Sequence, residues 1–67
     1  MKPMFLLQTQ VAGCWALIAS GADQRALEEI AQMLNELSMF CIIKQSCFET
    51  GEITEVIVRR WMPGEQQ

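Results

Sequence analysis

Any nucleophilic or metal chemistry in this chain would have to run through Cys14, Cys41 and Cys47, because the sequence contains no histidine. A cysteine acts as nucleophile or ligand as its thiolate, and an adjacent base or cation normally prepares it. The three thiols sit in apolar stretches, Cys14-Trp15-Ala16-Leu17-Ile18 and Cys41-Ile42-Ile43 with Cys47-Phe48, which supply no such group. Their spacing contains no CxxC pair, so zinc binding lacks its usual ligand pattern. The odd count excludes a fully paired monomer. Cys41 and Cys47 fall on one expected strand, where six residues span roughly 20 Å, too far for a bond between them. The expectation is three buried, reduced thiols, no catalytic residue, no metal and no cofactor, in a cytoplasmic chain.

The charged residues offer less chemistry than their clustering suggests. Glu28 and Glu29 are adjacent on an expected helix and point in different directions. Glu49, Glu52 and Glu55 surround an expected turn, where they serve solubility or could meet a cation or a basic surface. Arg59-Arg60-Trp61 combines cations with an aromatic ring, the pairing that holds single-stranded nucleic acid. Two facts weigh against that use. Strand alternation separates Arg59 from Arg60. Eight acidic residues against five basic ones give a net charge of −3 and a pI near 4.6, which disfavours a phosphate backbone as partner. Trp, Met and Arg are enriched at protein interfaces. Trp15, Arg59, Arg60, Trp61, Met62, Glu52 and Glu55 are therefore the candidate interface residues, with Trp15 and Trp61 equally readable as core.

These residues need elements to position them. Met4 to Gln10 reads as a strand opened by Pro3, and Cys14 to Ala19 as a second strand after Gly13, although a short apolar run also fits a helix. Asp23 to Ser38 is the helix. Ala26, Leu27, Ile30, Ala31, Leu34 and Leu37 form one apolar stripe at helical spacing, and Ser20 with Asp23 suggests a capping box. Met39 to Phe48 and Ile53 to Trp61 read as two more strands around a turn at Gly51, ahead of a polar tail from Pro63. The expected fold class is α+β, β-β-α-β-β: a four-stranded antiparallel or mixed sheet with one helix on one face. It forms a single small domain over residues 1–67, with an ordered core about 4–62.

The strand faces carry the functional expectation. One helix covers one face of a four-stranded sheet, yet the strands are apolar on both faces, where a solvated face would alternate with polar residues. A chain of 67 residues already lacks the core of a larger domain. Soluble monomers rarely expose more than a few hundred Å² of contiguous apolar surface. Something should cover the second face, and two sheets stacking about 10 Å apart would make a homodimer.

Val11-Ala12-Gly13-Cys14 looks like a lipoprotein box and Ser20-Gly21-Ala22 like a cleavage site, but Gln8, Thr9 and Gln10 break the apolar region a signal needs. In size, acidity and lack of catalytic groups the chain resembles the small acidic proteins encoded by phages and mobile elements, anti-CRISPR proteins among them. That resemblance implies stoichiometric inhibition of a larger protein. The expectation is a non-enzymatic protein-interaction module, homodimeric, that regulates or inhibits a larger partner without membrane or nucleic acid. The alternatives are a nucleic-acid or small-ligand binder using the sheet surface around Trp61, and a thiol or metal carrier.

Overall fold

The structure, a computed structural model, describes residues 4–49 and 51–63, the side chains of 48 and 49 excepted. The fold is α+β: one four-stranded sheet and one helix. The elements are β1 (Met4–Val11), β2 (Cys14–Gly21), α1 (Gln24–Glu36), β3 (Cys41–Glu49) and β4 (Glu52–Trp61). The sheet order is β2-β1-β3-β4 and every neighbouring pair is antiparallel, so the mixed arrangement does not arise. β1 and β3 are central, β2 and β4 are edges, and α1 carries the chain across β1.

Local chemistry sets each boundary. Ala12 and Gly13 both take positive φ, 53° and 82°, as a two-residue type I′ hairpin turn requires. The segment that looked like a lipoprotein box is this turn. The helix N-cap is Asp23, whose carboxylate accepts from the amides of Arg25 and Ala26 at 3.0 and 3.3 Å. This corrects the expected Ser20–Asp23 box: Ser20 belongs to β2, and Asp23 caps the helix alone. The helix stops at Glu36, short of Ser38. There the Ser38 amide donates to the Asn35 carbonyl at 2.8 Å and the Met39 amide to the Leu34 carbonyl at 3.2 Å. Ser38 stands at φ 67°. This is a Schellman ending with serine in the left-handed position that glycine usually holds.

The core lies between the helix and one sheet face. Phe5 and Leu7 from β1, Cys41 and Ile43 from β3, Leu27 and Ala31 from the helix and Trp61 from β4 form it, with Ala19, Leu34 and Met39 packed against it. Thr9 is also buried; its hydroxyl donates to the Phe40 carbonyl at 2.9 Å. The expected helix stripe is only partly inside. Ile30 and Leu37, with Met33, are exposed, while polar Asn35 is buried. The reason is which arc of the helix faces the sheet. Asn35 donates to the Met62 carbonyl at 3.2 Å and Glu28 pairs with Arg59 of β4. At about 100° per residue, these ties rotate Ile30, Met33 and Leu37 off the contact, onto the opposite flank.

Each edge strand carries a bulge. Between Leu7 and Gln8 the β2 partner jumps from Ala19 to Leu17, leaving Ile18 extra. Between Ile43 and Lys44 the β4 partner jumps from Arg59 to Ile57, leaving Val58 extra. A bulge inserts one residue and so reverses the alternation beyond it. Simple alternation groups Trp15, Leu17 and Ala19 on one face and Ile53, Ile57 and Trp61 on another. The bulges split both groups. Ala19 and Trp61 join the core, while Trp15, Leu17, Ile53 and Ile57 remain on the other side.

Candidate functional site

The helix-free face is laid out in rows by the strand register. Leu17, Gln8, Ile42 and Arg60 are successive cross-strand partners, as are Ser20, Leu6, Lys44 and Ile57. Cross-strand partners share a face. Trp15 pairs with Gln10 at one end, beside Phe40, and Glu55 pairs with Ser46 at the other. Ile42 is buried at the centre of its row, but Leu17 is 58% and Ile57 51% exposed. Trp15, Met4 and Ile53 are exposed as well.

Two contacts order this surface. The Trp15 and Phe40 rings meet edge to face, with centroids 4.9 Å apart and planes at 75°, an arrangement that adds about 0.5–1.5 kcal/mol beyond area burial. Lys44 Nζ lies 3.7 Å from Glu55 Oε1. Both ends of that pair are partly solvated, so its worth is at most about 1 kcal/mol. Gln8 Oε1 is buried in the same face with no hydrogen-bond partner among the described residues.

The candidate interface residues fall in three places. Trp15, Arg60 and Glu55 lie on the helix-free face. Arg59 lies on the helix side, its guanidinium carbon 4.7 Å from the centroid of Trp61 and its Nη1 3.3 Å from Glu28 Oε1. Trp61 is 7% exposed and belongs to the core rather than to the exposed surface. Met62 is half-buried and accepts from Asn35, and Glu52 is exposed at the start of β4. The separation of Arg59 from Arg60 expected from alternation is present.

The cysteines do not converge. Cys41 is buried, its thiol 3.6 Å from the Thr9 hydroxyl; Cys47 is half-buried; Cys14 is exposed, against the expectation that all three are buried. β1 separates the strand of Cys14 from that of Cys41 and Cys47, a spacing of about 10 Å. No three acidic, cysteine or histidine side chains come close enough to hold a metal ion among the described residues. Among the same residues, no helix is long and apolar enough to cross a membrane.

Sequence reasoning identified Trp15, Arg60 and Glu55 but passed over Leu17, Phe40 and Ile57. The β-branched run Ile53 to Val58 reads equally well in either register, so nothing in it marks Val58 as the extra residue. No protein-family model, curated protein or solved structure matches the chain.

Proposed function

We propose that the chain is a non-enzymatic protein-interaction module that acts by stoichiometric binding, as a regulator or inhibitor of a larger protein, and works in the cytoplasm. The observation that carries this reading is the helix-free sheet face, with Trp15, Leu17, Met4, Ile53 and Ile57 exposed on it. At roughly 100 Å² each, these five leave about 500 Å² of apolar residue surface in water, interspersed with Gln8, Lys44, Ser46 and Arg60 on the same rows. A ring pair and a few flanking polar groups suit a protein surface, where aromatic residues and arginine are enriched at the centre.

One observation favours a second reading. Lys44 and Arg60 share the face with Trp15 and Phe40, and cations interleaved with rings also hold single-stranded nucleic acid. Glu55 beside Lys44 and the net charge of −3 oppose it. A photo-reactive residue placed at Leu17 in cells separates the two. The expected result is an adduct to polypeptide, reduced when Ile57 is changed to Glu. Absence of such adducts, together with salt-sensitive oligonucleotide binding lost in Trp15→Ala, would replace the first reading with the second.

A further inference from the structure

We propose that the outer flank of α1 is a second docking surface, and that its partner is an amphipathic helix of another protein with lysine or arginine beside its apolar seam. The flank lies across the sheet from the helix-free face, so what binds there is independent of what that face binds.

Spacing defines the surface. Ala26, Ile30, Met33 and Leu37 recur at intervals of 4, 3 and 4 residues, the a/d spacing of a coiled-coil seam. At about 100° per residue they fall within an arc of about 60° and run for about 16 Å along the helix. All four are exposed, Met33 at 66% and Leu37 at 72%. The fold takes its own contacts from other positions. Leu27 and Ala31 are in the core with Leu34 against it, and Glu28 and Asn35 are tied to β4. A surface helix normally carries one apolar stripe, turned to its own core; α1 carries a second beside it. The seam stands about 180° around the helix from Glu28 and Asn35, on the side of β2. There the strand turns only Cys14, Ala16 and Ala19 toward the helix layer, small side chains that leave the seam uncovered.

Charge selects the partner. Glu29 and Glu36, both exposed, border the seam on its solvent side, one heptad apart. Among the described residues neither pairs with a cation. Arg25, in the first turn, is the one cation on α1, and β2 has none. Helix-in-groove recognition uses anchors at i, i+3, i+4 and i+7, and the charges flanking such a seam choose the partner and its orientation. An incoming helix meets an apolar stripe with two unmatched carboxylates along one side, which lysine or arginine beside its own stripe would match. A second copy of α1 fits badly: antiparallel packing about a two-fold axis sets Glu29 and Glu36 of one chain against those of the other. An anionic lipid surface meets the same two carboxylates and is repelled by them.

A synthetic peptide of about three heptads, with Leu at a and d and Lys at e and g, tests the surface. Its controls are a peptide of the same composition with the seam scrambled and one with Glu at e and g. Followed by amide chemical shifts, the Lys-flanked peptide should perturb Ile30, Met33 and Leu37. Met33→Glu should weaken its binding at least about tenfold with circular dichroism unchanged, and Leu17→Glu on the sheet face should not. Glu29→Lys combined with Glu36→Lys leaves the seam intact and should turn the preference to the Glu-flanked peptide; that reversal decides if the Met33 variant fails to fold. Equal binding of the ordered and scrambled Lys peptides, no shift along the seam, or a preference unchanged by the two lysines would overturn the proposal. So would self-association lost in Met33→Glu, which makes a second copy the occupant, or Met33-dependent binding to vesicles of phosphatidylcholine and phosphatidylglycerol, which makes it a lipid surface. Absence of polypeptide adducts at Leu17 would overturn the sheet-face reading and leave this surface standing.

Discussion

The guanidinium carbon of Arg59 lies over Trp61, 4.7 Å from the ring centroid, while its Nη1 reaches Glu28 on the helix at 3.3 Å. One half-exposed cation thus roofs the ring that closes the core and ties β4 to α1. A cation–π contact at an exposed site is worth about 0.5–1 kcal/mol and a solvated ion pair about 0–1 kcal/mol. Arg59→Ala should therefore cost about 1 kcal/mol in urea denaturation. Most of that loss should persist at 1 M salt, where the Glu28 pair is screened. Glu28→Gln should cost less than half as much.

Asn35 is a buried polar residue in the last turn of the helix. Its amide donates to the Met39 carbonyl at 3.0 Å and to the Met62 carbonyl at 3.2 Å, joining the helix end to the exits of α1 and β4. Asn35→Leu keeps the volume and removes both donors. A buried acceptor left without its donor costs about 1–3 kcal/mol, so the variant should lose roughly 2–4 kcal/mol by urea denaturation. Amide hydrogen exchange at Met39 and Trp61 should accelerate beyond that global loss, since the chain ends there would be untied.

Ser38 takes the left-handed conformation at φ 67° with its amide already bonded to Asn35. An L residue pays about 1 kcal/mol in this region that glycine does not, partly offset by glycine's greater unfolded-state entropy. Ser38→Gly should raise stability by about 0.5 kcal/mol, and Ser38→Val should lower it by 1 kcal/mol or more, read as shifts in the urea midpoint at constant m.

The sequence revealed elements well and faces incompletely. The helix was legible because Leu27, Ala31 and Leu34 recur at its period, and the hairpins because Gly13 and Gly51 mark the turns. Trp61 was not placeable. Its face depends on Val58, and a bulge is a property of two paired strands that leaves no mark in one. Asn35 was read as a solvated residue because its polarity fits the outer helix face. The Met39 and Met62 carbonyls, the second distant in sequence, accept from its amide and make its burial favourable. Ile30 and Leu37 failed in the opposite sense: periodicity defines an apolar arc, but the arc that faces the sheet decides which part of it is covered.

Trp15 and Trp61 should be separable by fluorescence. Trp15 is 41% exposed and Trp61 is in the core. Trp61→Phe should emit at longer wavelength and be quenched readily by acrylamide. Trp15→Phe should emit at shorter wavelength and resist quenching. The reverse pattern would show that the two rings had exchanged faces.

The Val58 bulge makes a prediction about deletion within a strand. Val58 is exposed, so Val58→Ala should cost under about 1 kcal/mol in strand propensity and packing. Deleting Val58 removes no core side chain and restores strict alternation along β4. Glu55, Ile57 and Arg60 then keep the helix-free side while Arg59 and Trp61 keep the helix side, each opposite its present partner on β3. Only the local twist supplied by the bulge is lost. The deletion variant should therefore retain a sharp thermal transition and the emission of a buried Trp61, as Val58→Ala does. A deletion variant that loses cooperative unfolding, while Val58→Ala keeps it, would mean that the extra residue of β4 lies elsewhere.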